Sequence, residues 1–273
     1  MKNLFQRTIS GIVYLIILIG SLFLGKFAFG IVFITAGILA LSEFYDLTGV
    51  GRSSKLALPG LIAGAVAYTV VFLTVSGFLE YRYLPVTAVI PVLLMVYALY
   101  QPAGSMPDDV SKVFLGLVYI IAPLCIMIYL AFPAVNSNIY THRIVLGILT
   151  LVWINDTGAY VTGSTFGRHK LFPRISPKKS WEGLIGGTLF TVAAAFFMSR
   201  IMGMLTISDW LVLAVAVSVF GVFGDLVESL IKRKADRKDS GTLIPGHGGI
   251  LDRIDSVLFV MPVAVAYLMA RGL

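Results

Sequence analysis

Charged residues that could handle a phosphate-bearing molecule crowd into one segment near the end of the chain. Residues 229–255 (SLIKRKADRKDSGTLIPGHGGILDRID) hold six Lys or Arg, four Asp, one His and four Gly, between two long apolar stretches. Cationic side chains can bind phosphate oxygens, and carboxylates can hold a divalent metal ion. Because the flanking stretches are long enough to cross a bilayer, we expect this segment to lie at a membrane surface, where it could act on a highly charged substrate beside lipid.

Four carboxylates lie where the hydrocarbon of a membrane is expected. At 1.5 Å per residue from the outer end of each apolar stretch, Asp225 and Asp156 both lie roughly 20 Å into the membrane. Asp252 and Asp255 begin the last apolar stretch from the opposite side. A carboxylate at such a depth is costly unless it meets a cation, a hydrogen-bond donor or water. We therefore expect the four, from three helices, to meet in the cytoplasmic third of the bilayer.

The local spacing of these acids favours a shared metal ion. Asp252 and Asp255 are three residues apart, as are Asp225 and Glu228, and such pairs share one face of a helix. All are oxygen ligands with neither Cys nor paired His nearby, so Mg²⁺ suits them better than Zn²⁺. The alternative is that Asp252 and Asp255 pair with nearby basic residues and cap the amino terminus of the last helix, where acids are favoured. Asp156 is expected at a similar depth to Asp225, which favours the metal site over the helix cap.

Two loops offer complementary anion sites. Residues 176–182 (SPKKSWE) end a basic loop and begin a helix, with Ser180 as the expected N-cap after a turn. Backbone N–H groups, the helix dipole and the two lysines together can bind an anion there. Downstream, residues 245–249 (PGHGG) form a tight loop in which glycine allows the backbone to approach a ligand closely, and His247 can donate to a phosphate oxygen.

The composition places these residues in an integral membrane protein. Of 273 residues, 58% are hydrophobic and 13% charged, and the mean hydropathy is +0.92, far from the average of soluble domains. Because a hydrocarbon core of about 30 Å needs roughly 20 apolar residues per helix, and backbone facing lipid must satisfy its own hydrogen bonds, we predict an all-α polytopic helix bundle with about nine transmembrane helices. We place them near residues 9–24, 27–47, 57–79, 84–100, 112–134, 143–163, 182–205, 209–231 and 252–272.

Basic residues predict which side of the membrane each loop occupies. With the amino terminus in the cytoplasm, the outside segments hold only five of the 21 Lys and Arg residues, namely Lys26, Arg82, Arg143, Arg200 and Arg271. Positive charge accumulates in cytoplasmic loops, so the large basic loops are expected to face the cytoplasm. The formal charge of +7 then reflects this bias and attraction to anionic lipid, and we expect no nucleic-acid partner.

The first half of the chain offers little chemistry. Glu43 and Asp46 lie three residues apart near the cytoplasmic end of the second predicted helix. A helix end that reaches the lipid headgroups explains both, and a functional role is the alternative. Cys125, the single cysteine, lies in an apolar run, where packing is its expected role.

Taken in order, these motifs resemble the signature of the CDP-diacylglycerol synthases, also called phosphatidate cytidylyltransferases. The chain shows no departure from that signature. Residues 156–160 (DTGAY), 176–183 (SPKKSWEG) and 223–225 (FGD) also resemble the family's motifs on the cytoplasmic side. The specific likeness covers roughly residues 153–259, and the first half matches only as apolar helices. The signature positions are Ser229, Lys232, Arg233, Lys238, Asp239, Gly241, Pro245, His247, Gly248, Gly249, Asp252, Arg253 and Asp255.

The resemblance implies a nucleotidyltransferase of phospholipid biosynthesis that makes CDP-diacylglycerol and pyrophosphate from CTP and phosphatidic acid. It implies a multi-pass protein of the inner cell membrane with its active site facing the cytoplasm, and Mg²⁺ with a monovalent cation such as K⁺ beside it. The expected metal ligands are Asp225, Asp252, Asp255 and Asp156. The expected catalytic residues are Asp225, Asp252, Lys238, His247 and Arg253. The expected substrate-binding residues are Ser176, Lys178, Lys179, Ser180, Lys232, Arg233, Gly248 and Gly249.

We expect one membrane domain, residues 1–273, with accessory helices in 1–135 and catalytic helices with basic loops in 142–273. The GxxxG at 183–187 allows two helices to approach closely, within one subunit or between the subunits of a homodimer. One rival function is transport, but a transporter's acids are expected near the midplane of broken helices, often in duplicated halves. Another is a CDP-alcohol phosphotransferase, whose DGxxAR and GxxxDxxxD pattern this sequence lacks. A structural subunit that keeps the charge pattern is the third.

Overall fold

The computed structural model describes residues 2–50, 55–101, 106–133 and 139–272, which are mostly helical. The prediction of an all-α protein is confirmed, with one small two-stranded sheet in addition. A 3₁₀ turn spans Tyr81–Tyr83, and a π-helical turn spans Leu117–Ile121. The elements are α1 (Lys2–Phe23), α2 (Lys26–Thr48), α3 (Ala57–Val75), α4 (Val86–Leu99), α5 (Met106–Gly116), α6 (Ala122–Ala131), α7 (Arg143–Phe166), β1 (Lys170–Phe172), β2 (Ser176–Ser180), α8 (Trp181–Ile201), α9 (Ile207–Lys234) and α10 (Leu251–Ala270).

Within the described ranges, eight segments are long and apolar enough to cross a membrane. A shorter apolar stretch, Thr8–Phe23, lies in α1, where the first and shortest of the nine predicted helices was placed. The eight segments are Lys26–Thr48, Ala57–Val75, Tyr81–Leu99, Pro107–Ala131, Arg143–Phe166, Trp181–Ile201, Ile207–Lys234 and Leu251–Ala270.

The chain divides into two compact units. The first comprises residues 1–141 and 235–253, and the second comprises residues 142–234 and 254–273. The first unit therefore contains α1 to α6 and the loop that follows α9, whereas α7 to α9 and the sheet belong to the second. We call residues 235–250 the signature loop. The predicted division of roles between 1–135 and 142–273 stays a prediction, and its boundary residue 135 lies outside the described part of the chain.

In the first unit, aromatic packing fixes the second half of α2. The rings of Phe44 and Tyr119 lie 5.8 Å apart between centroids, and the Tyr45 hydroxyl donates to the carbonyl of Val113 at 3.3 Å. All three aromatic side chains are buried. Glu43 directly precedes Phe44 and Tyr45 on α2, so the packing of these two residues also fixes the position of Glu43.

In the second unit, α7 and α8 pack almost backbone to backbone. A Cβ added at Gly183 would lie 3.0 Å from the Ala159 carbonyl oxygen, and one added at Gly187 would lie 2.9 Å from the Asn155 carbonyl oxygen. These two glycines form the GxxxG motif, so in this chain the motif permits close packing within the subunit. A homodimer stays a prediction.

Candidate functional site

An acidic cluster lies in the second unit, where α9 meets the portion of α10 that follows residue 253. Asp225 and Glu228 come from α9, and Asp255 comes from α10. One carboxylate oxygen of each lies within 4.8 Å of the others. Asp225 and Asp255 are half-buried, and Glu228 is fully buried. This is an all-oxygen set of ligands of the kind that Mg²⁺ prefers.

Glycine brings the two helices of this cluster into backbone contact. A Cβ at Gly224 would clash with the carbonyl oxygen of Asp255 and would lie 3.0 Å from the Cα of Ser256. One turn earlier, a Cβ at Gly221 would find nothing nearer than 3.7 Å. Of these two glycines, Gly224 is therefore the one at which the backbones of α9 and α10 meet, and this contact beside Asp225 sets how far apart Asp225 and Asp255 lie.

Two lysines partly neutralise the cluster. Lys179 Nζ lies 2.7 Å from Asp225 Oδ2, with side chains 23% and 37% exposed, and it also donates to the carbonyl of Val222 at 3.5 Å. Lys232 forms an ion pair with Glu228, and both of these side chains are nearly inaccessible to solvent. A buried charge needs such a partner. Lys232, predicted to bind substrate, is thus engaged with Glu228.

Ser229 completes the surroundings of Asp225. The Ser229 hydroxyl donates to Asp225 Oδ1 at 3.1 Å, so both oxygens of that carboxylate have a donor. Asp156 is exposed on α7 and is not among the three acids whose carboxylate oxygens cluster, so its role as a metal ligand stays a prediction. A divalent cation would relieve the repulsion among Asp225, Glu228 and Asp255, whose negative charges gather in one place.

The SPKKS segment forms a strand where the sequence suggested a turn. β2 pairs antiparallel with β1, with Lys170 opposite Ser180. Proline is tolerated because both strands of a two-stranded sheet are edges. Ser180 is the N-cap of α8, and its hydroxyl accepts from the Gly183 N–H at 3.1 Å, which confirms the predicted cap. The hydroxyl is buried and used in this bond, while Lys178 is exposed.

In the first unit, Asp252 anchors the signature loop. Its Oδ2 accepts from the Ser240 N–H at 2.9 Å, the Ser240 hydroxyl at 2.8 Å and the Gly249 N–H at 2.8 Å. A Cβ at Gly248 would lie 2.6 Å from the same oxygen, and Gly248 has a φ of +86°, a conformation that only glycine adopts readily. Asp252 therefore holds the loop that precedes α10, and its predicted roles as a helix cap and as a metal ligand both stay predictions.

His247 is held by the first helix. The Ser10 hydroxyl donates to the Pro245 carbonyl at 2.8 Å and lies 3.1 Å from His247 Nδ1. Since the hydroxyl hydrogen is directed to Pro245, Nδ1 is placed to donate to Ser10. From the other side, Arg253 Nη2 donates to the His247 carbonyl at 2.7 Å. These contacts fix the orientation of the imidazole ring.

The predicted site residues are divided between the two units. The first unit holds Lys238, His247, Gly248, Gly249, Asp252 and Arg253, and the second holds Asp156, Ser176, Lys178, Lys179, Ser180, Asp225, Lys232, Arg233 and Asp255. Lys238 and Arg233 are exposed, and Ser176 begins β2.

Two acids were not among the predicted site residues. Glu228 joins the metal-competent cluster, and its spacing of three from Asp225 was the signal for it. Glu43, expected at the lipid headgroups, is instead buried and accepts hydrogen bonds from Ser240, Ile250 and Leu251. No local pattern marks Glu43, because its partners lie about two hundred residues away in sequence.

Comparison with known proteins gives a consistent result. A family model described as "Cytidylyltransferase family" matches residues 5–270. A phosphatidate cytidylyltransferase of Bacillus subtilis (strain 168) is 32% identical over 266 residues, which is 96% of each chain. One of Staphylococcus epidermidis (strain ATCC 12228) is 33% identical over 267 residues, 94% of this chain and 95% of the relative. One of Haemophilus influenzae is 44% identical over 134 residues, 45% of this chain and 46% of the relative.

Proposed function

The chain belongs to the cytidylyltransferase family and is an enzyme of the phosphatidate cytidylyltransferase type, and on that premise we propose that it makes CDP-diacylglycerol and pyrophosphate from CTP and phosphatidic acid. The observation that carries the proposal is the oxygen cluster of Asp225, Glu228 and Asp255 with Lys179 beside it. Such a cluster can bring two polyanionic reactants together at a membrane protein's surface.

The proposed reaction is a displacement at phosphorus. A phosphate oxygen of phosphatidic acid attacks the α-phosphorus of CTP, the bond from that phosphorus to the bridging oxygen breaks, and pyrophosphate leaves with the electron pair. A phosphate monoester has a second pKa near about 6, so the attacking phosphate is largely ionised at neutral pH. A dedicated general base is therefore unnecessary, and the main barrier is charge repulsion.

The acids fit a hard divalent cation. Asp225 and Asp255 would hold Mg²⁺ together with Glu228, because their carboxylate oxygens cluster, and Asp156 is proposed as a further ligand. When bound, Mg²⁺ would neutralise phosphate charge in the transition state. The resemblance to the family also suggests Asp252 as a ligand and a monovalent cation such as K⁺ beside Mg²⁺.

Basic and backbone groups would hold the phosphates. Lys178, Lys238 and Arg233 are exposed and could bind CTP phosphates or the departing pyrophosphate. Lys179, which pairs with Asp225, could bind a phosphate oxygen in place of this carboxylate. The signature loop would contribute backbone N–H groups near Gly248, with His247 positioned by Ser10.

The setting proposed for this chemistry is the cytoplasmic side of the inner membrane. There a lipid headgroup could reach the acids while its acyl chains stay in the bilayer, and CTP could arrive from solution. The predicted excess of Lys and Arg in cytoplasmic loops supports this orientation. CTP, phosphatidic acid and the bilayer are then the partners, with a homodimer as a further proposal.

Product formation by the purified protein tests this proposal. CTP and phosphatidic acid in mixed micelles are incubated with and without Mg²⁺, and CDP-diacylglycerol is quantified beside Asp225→Ala and the control Asp46→Asn, which alters an exposed acid on α2. We expect product only with Mg²⁺ and a loss of about a hundredfold or more in Asp225→Ala, since even outer-shell partners of metal ligands are worth about 10–100-fold. No product from the parent protein, with solute flux across sealed vesicles instead, would favour transport.

A further inference from the structure

Glu43 is a buried carboxylate that holds the signature loop from α2. The residue is only 6% exposed. Its Oε1 accepts from the Ile250 N–H at 3.1 Å, and its Oε2 accepts from the Leu251 N–H at 2.9 Å and from the Ser240 hydroxyl at 3.0 Å. All of these residues belong to the first compact unit. Two donors from the signature loop and one from the first residue of α10 thus converge on one acid from a distant helix.

These bonds provide acceptors for backbone N–H groups at the start of α10. The first N–H groups of a helix have no acceptor within the helix, and a buried amide without an acceptor is costly. The side chain that caps a helix normally belongs to the residue that precedes it. Here Gly249 and Ile250 precede the helix, and neither has a side-chain hydrogen-bond acceptor. Glu43 supplies it for Ile250 and Leu251, and a negative charge there also interacts favourably with the helix dipole.

Two glycines of the signature loop are explained by this carboxylate. A Cβ added at Gly241 would clash with Oε1 of Glu43, and one added at Gly249 would clash with Oε2 of Glu43 and with the Ser240 hydroxyl. The loop backbone can approach the carboxylate this closely only where side chains are absent. The loop is thus fitted around Glu43.

The link from Glu43 to Asp252 runs through one hydroxyl. Ser240 Oγ lies 3.0 Å from Glu43 Oε2 and 2.8 Å from Asp252 Oδ2, and Ser240 is only 1% exposed. A serine hydroxyl has one hydrogen, so the two carboxylates compete for the same donor. A change in the acceptor at Glu43 therefore changes the hydrogen bonding of Asp252.

We propose that Glu43 is a positioning residue for the proposed cytidylyl transfer, acting on Asp252 and the signature loop through Ser240 and the amino terminus of α10. The inference rests on the proposed function, since it assigns Asp252 and the loop to that reaction. Glu43 would not touch the substrate. Substitution of Glu43 should lower kcat, the turnover of the enzyme with bound substrates, more than it weakens the binding of CTP.

The test compares Glu43→Gln with the control Asp46→Asn in full-length, detergent-purified protein. The glutamine keeps the shape of Glu43 but replaces one acceptor oxygen with an NH₂ donor, which then faces a donor of the loop. We measure kcat and KM for CTP at saturating Mg²⁺, the thermal midpoint, and hydrogen–deuterium exchange of peptides covering residues 238–253.

We expect kcat of Glu43→Gln to fall about tenfold or more, because the buried donor that loses its acceptor changes the hydrogen bonding of Ser240 and Asp252. The KM for CTP should stay within about twofold of the parent, and amides in 238–253 should exchange faster while other helices remain protected. Asp46→Asn should match the parent in every measurement. If the glutamine variant does not fold, Glu43→Asp is measured in the same way and should show both changes in weaker form.

Either of two results overturns the inference: an unchanged kcat in the Glu43 variant, or a reduced kcat without faster exchange in 238–253. Failure of the proposed function would look different. In that case the parent protein itself forms no CDP-diacylglycerol, while the exchange measurement still reports whether Glu43 holds the loop.

Discussion

The backbone contact between α9 and α10 at Gly224 makes Gly224→Ala a sharp test of the acidic cluster. The new Cβ would lie 3.0 Å from both the carbonyl carbon of Asp255 and the Cα of Ser256, and nearer still to the Asp255 carbonyl oxygen. Favourable carbon–carbon contacts lie at about 3.5–4.0 Å, so the helices must separate by about 0.5–1 Å. All three contacted atoms are backbone, and no side-chain rotation can relieve the clash.

This separation has two measurable costs. Overpacking of this kind destabilises a protein by about 1–3 kcal/mol, against which alanine recovers about 0.5–1 kcal/mol of helix propensity relative to glycine. Because the displaced backbone is that of Asp255, its carboxylate moves away from Asp225 and Glu228. A misplacement of about 1 Å can cost about a hundredfold in rate, so we expect at least a tenfold increase in the Mg²⁺ concentration that gives half-maximal activity.

Gly221→Ala provides the matched control. It lies one turn earlier on α9, and its Cβ would find the nearest atom at 3.7 Å, an ordinary van der Waals contact. The control gains the same helix propensity without the clash, so its thermal midpoint should equal or exceed that of the parent. Thermal unfolding in detergent and Mg²⁺ titrations of product formation compare the two variants. Equal behaviour of Gly224→Ala and Gly221→Ala would refute the packing argument.

Two further substitutions test the neighbours of the acids and of the signature loop. Lys179→Met removes a cation 2.7 Å from Asp225 Oδ2. A partly exposed ion pair contributes about 0.2–1 kcal/mol, so a divalent metal should bind the variant about two- to fivefold more tightly, while its KM for CTP rises. Weaker metal binding by the variant in isothermal titration calorimetry would contradict this. Ser10→Ala removes both hydroxyl contacts to the signature loop and leaves the His247 ring without that support, so kcat should fall about threefold to tenfold. Thr35→Ala is the control. The Thr35 hydroxyl donates to the Ile31 carbonyl within α2, so its loss should leave kcat unchanged.

The sequence predicts best what depends on local pattern. Apolar runs of about 20 residues predict spanning helices because the hydrocarbon thickness sets their length. The N-cap at Ser180 and the i,i+3 relation of Asp225 to Glu228 also follow from a few neighbouring residues. These expectations match the helices, the capping bond to Gly183 and the acidic cluster.

Contacts between distant segments could not be predicted in this way. Glu43 meets Ser240 across 197 positions of sequence, and Lys179 meets Asp225 from a separate strand. The residues beside Glu43 and Lys179 in the sequence do not indicate which partner each one meets, and only the packing of the elements brings the partners together. The strand at 176–180 was missed for a similar reason, since its pairing with β1 outweighs the turn preference of its proline.

Direct binding of Mn²⁺, a spectroscopic substitute for Mg²⁺, tests most directly whether the acids of α9 and α10 form a metal site. Electron paramagnetic resonance titrations of the purified protein, Asp255→Asn and the control Asp46→Asn measure free Mn²⁺ without any need for substrate. We predict that Mg²⁺ displaces bound Mn²⁺ from the parent and the control, and that Asp255→Asn binds at least about tenfold more weakly. Equal binding by all three proteins would contradict the assignment of a metal to Asp225, Glu228 and Asp255.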